Sequence, residues 1–181
     1  GVSNENTQPQ RQSPPSDLLA VGEFRALGRR KITEETCRKF GYAITRGPRG
    51  NEVQCAHFKR DGKIVAQKVR YPDKQFQYIG AKDAGLWGEH LWPSGGKMLV
   101  ITDGEIDALT VSQLQGNKWP VVSLPNGAQN AAKAVRKSLP FVTSFNKVIL
   151  MFDMDEPGQK AALEVAKLCK PGQAHIASLP L

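Results

Sequence analysis

Long apolar runs are missing from this chain. Nothing approaches the roughly 18 consecutive apolar residues of a membrane-spanning helix, so no membrane partner is expected. The opening stretch, GVSNENTQ, has neither the charged nor the apolar region of a secretory signal. It also lacks an initiator Met, as expected of a piece of a longer protein. Cysteine is scarce: Cys37, Cys55 and Cys169 lie far apart, odd in number and without a Cys-x-x-Cys pair. That pattern supports neither a disulfide framework nor a zinc site, and it suits free thiols in a reducing cytoplasm. His57, His90 and His175 have no metal-ligand spacing and read as structural. Trp87, Trp92 and Trp119 read as core or hinge anchors rather than stacking platforms.

Charge of one sign is in short supply. There are 25 Lys and Arg against 17 Asp and Glu, a net +8. The imbalance is uneven: residues 1–96 carry 16 basic and 10 acidic side chains, residues 97–181 carry 9 and 7. A strongly basic first half beside a less basic second half that carries the acidic cluster suits a polyanion held on one side while chemistry occurs on the other.

Residues 1–22 are polar, with Pro9, Pro14 and Pro15, and read as a flexible linker or arm. Residues 23–96 read as a small basic α+β subdomain. Thr33 is a good N-cap, Glu34 and Glu35 favour a first turn, and Gly41 can close the helix, which predicts a helix over 33–40. VQCAHFK and IVAQKVRY flank Asp61-Gly62, a strong hairpin signal. On the second of these strands Lys68 and Arg70 share a face. Pro72-Asp73 marks a turn with Lys74 at its edge.

From residue 97 to 181 the pattern alternates. Apolar strands are predicted over 97–102, 119–125, 147–153 and 174–179, with helically spaced segments between them, including 128–139. This predicts an α/β fold: a mainly parallel sheet with helices on both faces and ligands at the carboxyl ends of its strands. Acids stand at those ends. Asp103, Glu105 and Asp107 follow the first strand around Gly104, and Asp153 and Asp155 follow the third. Buried carboxylates are costly without a cation, and hard oxygen donors suit Mg²⁺ or Mn²⁺. Asp155 can also cap the next helix, with Pro157 in its first turn. Glu105 and Asp107 begin a helix, where acids are favoured in any case. Gly127 allows a tight strand-to-helix turn near the site.

An apolar strand, then acid-Gly-x-x-Asp, then a later strand ending Asp-x-Asp, resembles the Toprim domain of primases and topoisomerases, a Rossmann-like fold. The segments RALGRRKITEETCRKFGY, IVAQKVR, PDKQF, LWGEHLWPSGGK, SLPNGA and ILMFDMDEPGQKA run in order from about Arg25 to the C-terminus. They resemble the primase (RNA polymerase) half of the bifunctional DNA primase–helicases of T-seven-type phages. The resemblance implies DNA-templated synthesis of short RNA primers from NTPs, with two divalent ions, Mg²⁺ or Mn²⁺. Asp153 and Asp155 match the metal-binding aspartates, and Asp103 the catalytic acid beside them. Lys68 and Lys74 match lysines that hold the triphosphate and support catalysis, with Arg70 beside Lys68. Arg29 matches an arginine that contacts nucleotide or template. Gly104, Asp107 and Gly127 are supporting positions.

Three features depart from the family pattern. Asp103 stands where the family has Glu, which withdraws the carboxylate by about 1.5 Å. A further acid, in a Lys-Asp-x-Asn-like segment, is expected beyond Leu181, so the Toprim half is expected to be truncated. The family's N-terminal zinc module, which reads the template, has no counterpart in these residues, and the arm at 1–22 would join it. Single-stranded DNA and NTPs are the partners implied, with a zinc-binding module and a hexameric helicase in the full-length protein and the host cytoplasm as its location. The alternative reading is a catalytically weak Toprim-fold module that binds single-stranded DNA for a replicative helicase. A Toprim nuclease or topoisomerase fragment fits less well, because neither a nuclease extension nor a tyrosine-bearing strand-passage domain is visible.

Overall fold

Thr33 starts the first helix as its sequence dictates: Oγ1 accepts a hydrogen bond from the Thr36 N–H at 3.2 Å. Helix α1 runs Glu34–Phe40, and Gly41 closes it by donating its N–H to the Cys37 carbonyl. A computed structural model describes residues 18–177, so most of the predicted arm and the end of the last predicted strand lie outside the described residues. After α1 come strands β1 (Tyr42–Arg46), β2 (Glu52–Arg60), β3 (Lys63–Arg70) and β4 (Phe76–Gly80). They form one antiparallel sheet in the order β1-β2-β3-β4. Asp61 and Gly62 make the β2–β3 turn with φ of 51° and 75°. Two successive positive φ values match the right-handed twist of the paired strands.

Strands β1 and β4 were not assigned from the sequence. Both are five residues long and lie at the sheet edges, where alternation is weakly enforced. Residues 18–22, grouped with the polar arm by composition, run along the outer face of this sheet. Gln67 is fully buried and binds both backbone groups of Leu19, Oε1 accepting from its N–H at 2.7 Å and Nε2 donating to its carbonyl at 2.9 Å. His57 Nε2 donates to the Val21 carbonyl at 2.7 Å. Burial pushes the His57 pKa down and favours the neutral imidazole. Leu18 and Leu19 pack on Val53, Cys55, Val69 and Ile79.

The second half builds a parallel sheet. Its strands are β5 (Gly96–Thr102), β6 (Val121–Ser123), β7 (Phe145–Met151) and β8 (Ala174–Ala177). All pairings are parallel and the order is β6-β5-β7-β8. Helix α2 (Glu105–Leu114) joins β5 to β6, α3 (Ala131–Lys137) and α4 (Leu139–Thr143) join β6 to β7, and α5 (Glu156–Ala166) joins β7 to β8. The single helix predicted near 128–139 is two helices. Pro140 stands in the first turn of α4, lacks an N–H and cannot continue α3. Strand β6 is shorter than predicted because Pro120 and Pro125 bracket it and neither can donate to a ladder.

Two apolar clusters cover the parallel sheet. On one face Leu99, Ile101, Val148 and Leu150 meet Val135, Val142, Ala161 and Val165 of α3, α4 and α5. On the other, Val100 and Val121 meet Ala108 and Leu109 of α2 together with Phe40, Phe58 and Trp87 of the first half. The antiparallel unit therefore completes the covering that α2 begins. Trp87 is its staple: fully buried, it donates its indole N–H to the His57 carbonyl at 3.0 Å and exchanges backbone hydrogen bonds with Ser123 of β6. Trp92 likewise donates to the Val121 carbonyl at 2.9 Å. Trp119 departs from the expected anchor role. It is 56 % exposed, in the loop before β6. Among the described residues no helix is long and apolar enough to cross a membrane.

Candidate active site

The strand order reverses between β5 and β7. From β5 the chain passes to β6 on one side, then crosses back to β7 on the other. In an open parallel sheet this reversal leaves a crevice at the carboxyl ends of the two strands, because the flanking connections diverge there. Asp103 follows β5 directly, and Asp153 lies two residues beyond β7. The two meet: Asp103 Oδ2 accepts the Asp153 backbone N–H at 3.1 Å. Asp103 is only 7 % exposed, whereas Asp153 opens to solvent.

Neighbouring residues shape the crevice. Thr102 Oγ1 donates to the Gly104 carbonyl at 2.9 Å and fixes the turn into α2. Gly127, in the loop after β6, has φ of 58°, and a methyl group there would sit 3.1 Å from Asp103 Oδ1. A glycine at 127 thus permits both the turn and the close approach to the carboxylate. Asp107 lies in the first turn of α2 and is half-buried. Asp155 caps α5, its Oδ1 accepting the Gly158 N–H at 2.8 Å.

The acids repel one another. Burial first, then the charges of Asp103, Asp107 and Asp155, raise the Asp153 pKa. Burial and Asp103 likewise raise that of Asp107, against a lowering pull from Arg30. Asp103, Asp107, Asp153 and Asp155 have no salt-bridge partner among the described residues. The same residues form no closed cage of three or more metal-binding side chains.

One cation reaches this end of the sheet from the antiparallel unit. Lys68 Nζ lies 2.8 Å from Glu105 Oε1, and both side chains are less than a tenth exposed. That oxygen makes no hydrogen bond of good geometry, so the contact is a charge pair set by packing. It joins β3 to the start of α2. Lys68 Nζ also stands 4.8 Å from the Phe76 ring centre, and the Arg70 guanidinium 5.7 Å from it, so Lys68 and Arg70 do project together.

The remaining predicted cations lie apart from the acids. Arg29, Arg70 and the exposed Lys74 line an open cleft of about 550 Å³ with Arg30, Gln54 and Tyr71. From the sequence, Glu105 reads as a helix-start acid and Phe76 carries no assigned role. The partnership of Glu105 with Lys68 had no sequence signal, because 37 positions separate them and only the packing of the two sheets joins them. The signal for Phe76 was its place inside PDKQF, two residues after Lys74.

Comparison with known proteins agrees with this architecture. Residues 22–80 match the family described as bacteriophage T7 DNA helicase/primase, N-terminal α+β fold, and residues 100–181 match a Toprim-like family. The DNA helicase/primase of enterobacteria phage T3 is 44 % identical over 161 residues, covering 88 % of this chain and 28 % of that protein. The chain thus spans little more than a quarter of that curated relative. The crystal structure of the primase fragment of the bacteriophage T7 primase-helicase superposes with a TM-score of 0.82 at 46 % identity, over 88 % of this chain and 66 % of that one. A chain from the T7 lagging-strand DNA polymerase interacting with primase domains bound to an RNA/DNA hybrid and dTTP gives 0.81 at 46 %, over 88 % and 82 %. A DNA primase domain from Pseudomonas aeruginosa shares the fold alone, with a TM-score of 0.57 at 15 % identity over 85 % and 62 %. The fold is thus shared, and the chain belongs to the Toprim-containing primase domains of the T7-type phage DNA helicase/primases.

Proposed function

We propose that this chain catalyses DNA-templated synthesis of short RNA primers from NTPs at the crevice between β5 and β7. The observation that carries the reading is the meeting of Asp103 and Asp153 at the switch point, with Lys68 of the basic sheet held at Glu105, two residues after Asp103. The donor set fits a divalent cation such as Mg²⁺ or Mn²⁺. Burial and the neighbouring carboxylates raise the pKa of Asp153, and Asp103, Asp153 and Asp155 lack a salt-bridge partner among the described residues. Mg²⁺ keeps several waters and takes one or two carboxylates plus substrate phosphates, so it does not require a closed cage of protein ligands. Asp153, Asp155 and Asp103 would hold two such ions, which supply charge neutralisation and orientation at the transferring phosphoryl group.

The chain's own residues do the rest. Gly127 leaves one side of Asp103 unobstructed, and the Asp153 N–H fixes its carboxylate. Lys68 places positive charge at the crevice, where a triphosphate brings at least as much negative charge as Glu105 holds. Arg29, Arg70 and Lys74 line the adjoining cleft for nucleotide or single-stranded template. Gly104 and Asp107 shape and charge the turn. A zinc-binding module and a hexameric helicase are the partners we infer for the full-length protein, acting in the cytoplasm of a bacterial host.

One observation favours a second reading, in which the chain binds single-stranded DNA for a helicase without efficient synthesis. Asp103 is short and already spends one oxygen on the Asp153 backbone. Extension of a ribodinucleotide on a single-stranded template separates the two. The wild-type chain should extend it, and Asp153→Asn should lower the rate by about 10²-fold or more, as misplacement of a reacting group does. If neither the wild type nor Asp103→Glu extends while both bind DNA, the module reading stands and synthesis falls.

A further inference from the structure

Phe76 is an aromatic ring held in water beside a charged crevice. It lies on the edge strand β4, directly across from Arg70 in the register, and is 54 % exposed. Its chain neighbours Gln75 and Gln77 are exposed and polar, so no apolar patch accounts for it. The ring is not idle. Lys68 Nζ stands over it at 4.8 Å from the centre and the Arg70 guanidinium at 5.7 Å. The same Lys68 ammonium touches Glu105 at the acidic crevice, and the same Arg70 lines the cleft that holds Arg29 and Lys74. Phe76 therefore occupies the rim between the acids and the cationic cleft.

A nucleoside triphosphate carries, in one molecule, what these surroundings lack: a flat π-face for the ring and a polyanionic tail for the cations. Base–aromatic stacking is tolerant of base identity because every base presents a π-face. A cation beside the ring strengthens such a site rather than competing with it, since Arg and Lys interact with aromatic faces as well as with phosphate. A ring whose only duty was to align Lys68 and Arg70 would serve as well when buried beneath them.

We propose that Phe76 is the stacking platform for the nucleobase of a ribonucleoside triphosphate, while Lys68, Arg70 and Lys74 take its phosphates. The proposal deepens the primase reading and rests on it. A free nucleotide fits better than a template base, because Lys68 and Arg70 stand 4.8 Å and 5.7 Å from the centre of this one ring and Arg70 shares its cleft with Lys74.

The test compares equilibrium binding of ATP and of inorganic tripolyphosphate, both with Mg²⁺, to the wild type, Phe76→Leu and Phe76→Trp. Phe76→Leu should weaken ATP by about 5- to 150-fold, the range expected for one lost base stack. Tripolyphosphate should change by no more than about twofold, because a phosphate tail gains nothing from stacking. Phe76→Trp should keep ATP binding and show indole fluorescence quenched by ATP beyond that of the wild type. Equal weakening of ATP and tripolyphosphate would mean that the ring only aligns the cations, and would overturn the proposal. So would unchanged ATP binding accompanied by loss of single-stranded DNA affinity, which would assign the ring to the template. If the wild type bound neither ATP nor tripolyphosphate, the nucleotide-binding reading of the whole site would fall, and the stacking role with it.

Discussion

The two sheets hold their charges by opposite means. On the parallel sheet the acids are short side chains fixed by backbone: Asp103 is pinned by the Asp153 N–H, and Asp155 caps α5. On the antiparallel unit the cations are long side chains on strand β3 and in the segments beside the sheet, and Arg29 and Lys74 stand in solvent. Short acids must be placed by the fold to within an ångström, whereas Lys and Arg reach across several. Lys68 is the exception that joins the two systems, a cation of the basic sheet buried against an acid of the other.

Breaking that exception should give the largest effect. Lys68→Met leaves Glu105 buried and unpaired, which should destabilise the fold by about 3–5 kcal/mol. Pairing it with Glu105→Gln should recover most of the loss. Urea unfolding of both variants checks this, and a single variant as stable as the wild type would show that the pair is not what couples the halves.

The acidic half alone should respond to metal and pH. Asp153 and Asp107 titrate above their ordinary range in the fold. Between the ordinary and the raised pKa the folded chain holds more protons than the unfolded one. Stability therefore falls as pH rises through that window. A divalent ion should reverse the loss: Mg²⁺ at ten times its Kd adds about 1.4 kcal/mol, or about 3–6 °C in Tm. Calorimetry should find that gain at pH 7 and little of it at pH 4. An equal gain in Asp153→Asn would place the ion elsewhere.

The basic half should respond to salt, and by the smallest amount per residue. Arg29→Gln and Lys74→Gln should each weaken single-stranded DNA uniformly across sequences. Each should also flatten the log K against log[salt] slope by about 0.7. A flat wild-type response would remove the basic half from DNA binding.

Much of this was legible in the chain. Apolar runs followed by acids announced a parallel sheet with carboxylates at its ends, and the Asp-Gly pair announced the β2–β3 hairpin, because both signals are local. The edge strands were not legible, since each is only five residues long and neither alternates cleanly between buried and exposed positions. Nor was the split at Pro140 read, although the proline is plain in the sequence, because helical spacing runs on through it. The sequence also gave no sign that Leu18 and Leu19 leave the polar arm for the sheet, where buried Gln67 receives the Leu19 backbone.

The candidate site divides along the same line. Asp103, Asp153, Gly127 and Lys68 could be nominated from residue type and motif alone, as chemistry fixes which side chains suit metal, close approach or phosphate. Which of them meet was decided in three dimensions. The β6-β5-β7-β8 order brings Asp103 to Asp153, and the packing of one sheet on the other brings Lys68 to Glu105 and leaves Phe76 at the rim. Residue type is a property of one position and can be read from the chain. Proximity between positions 37 or 50 apart depends on strand order and core packing, which no local pattern encodes.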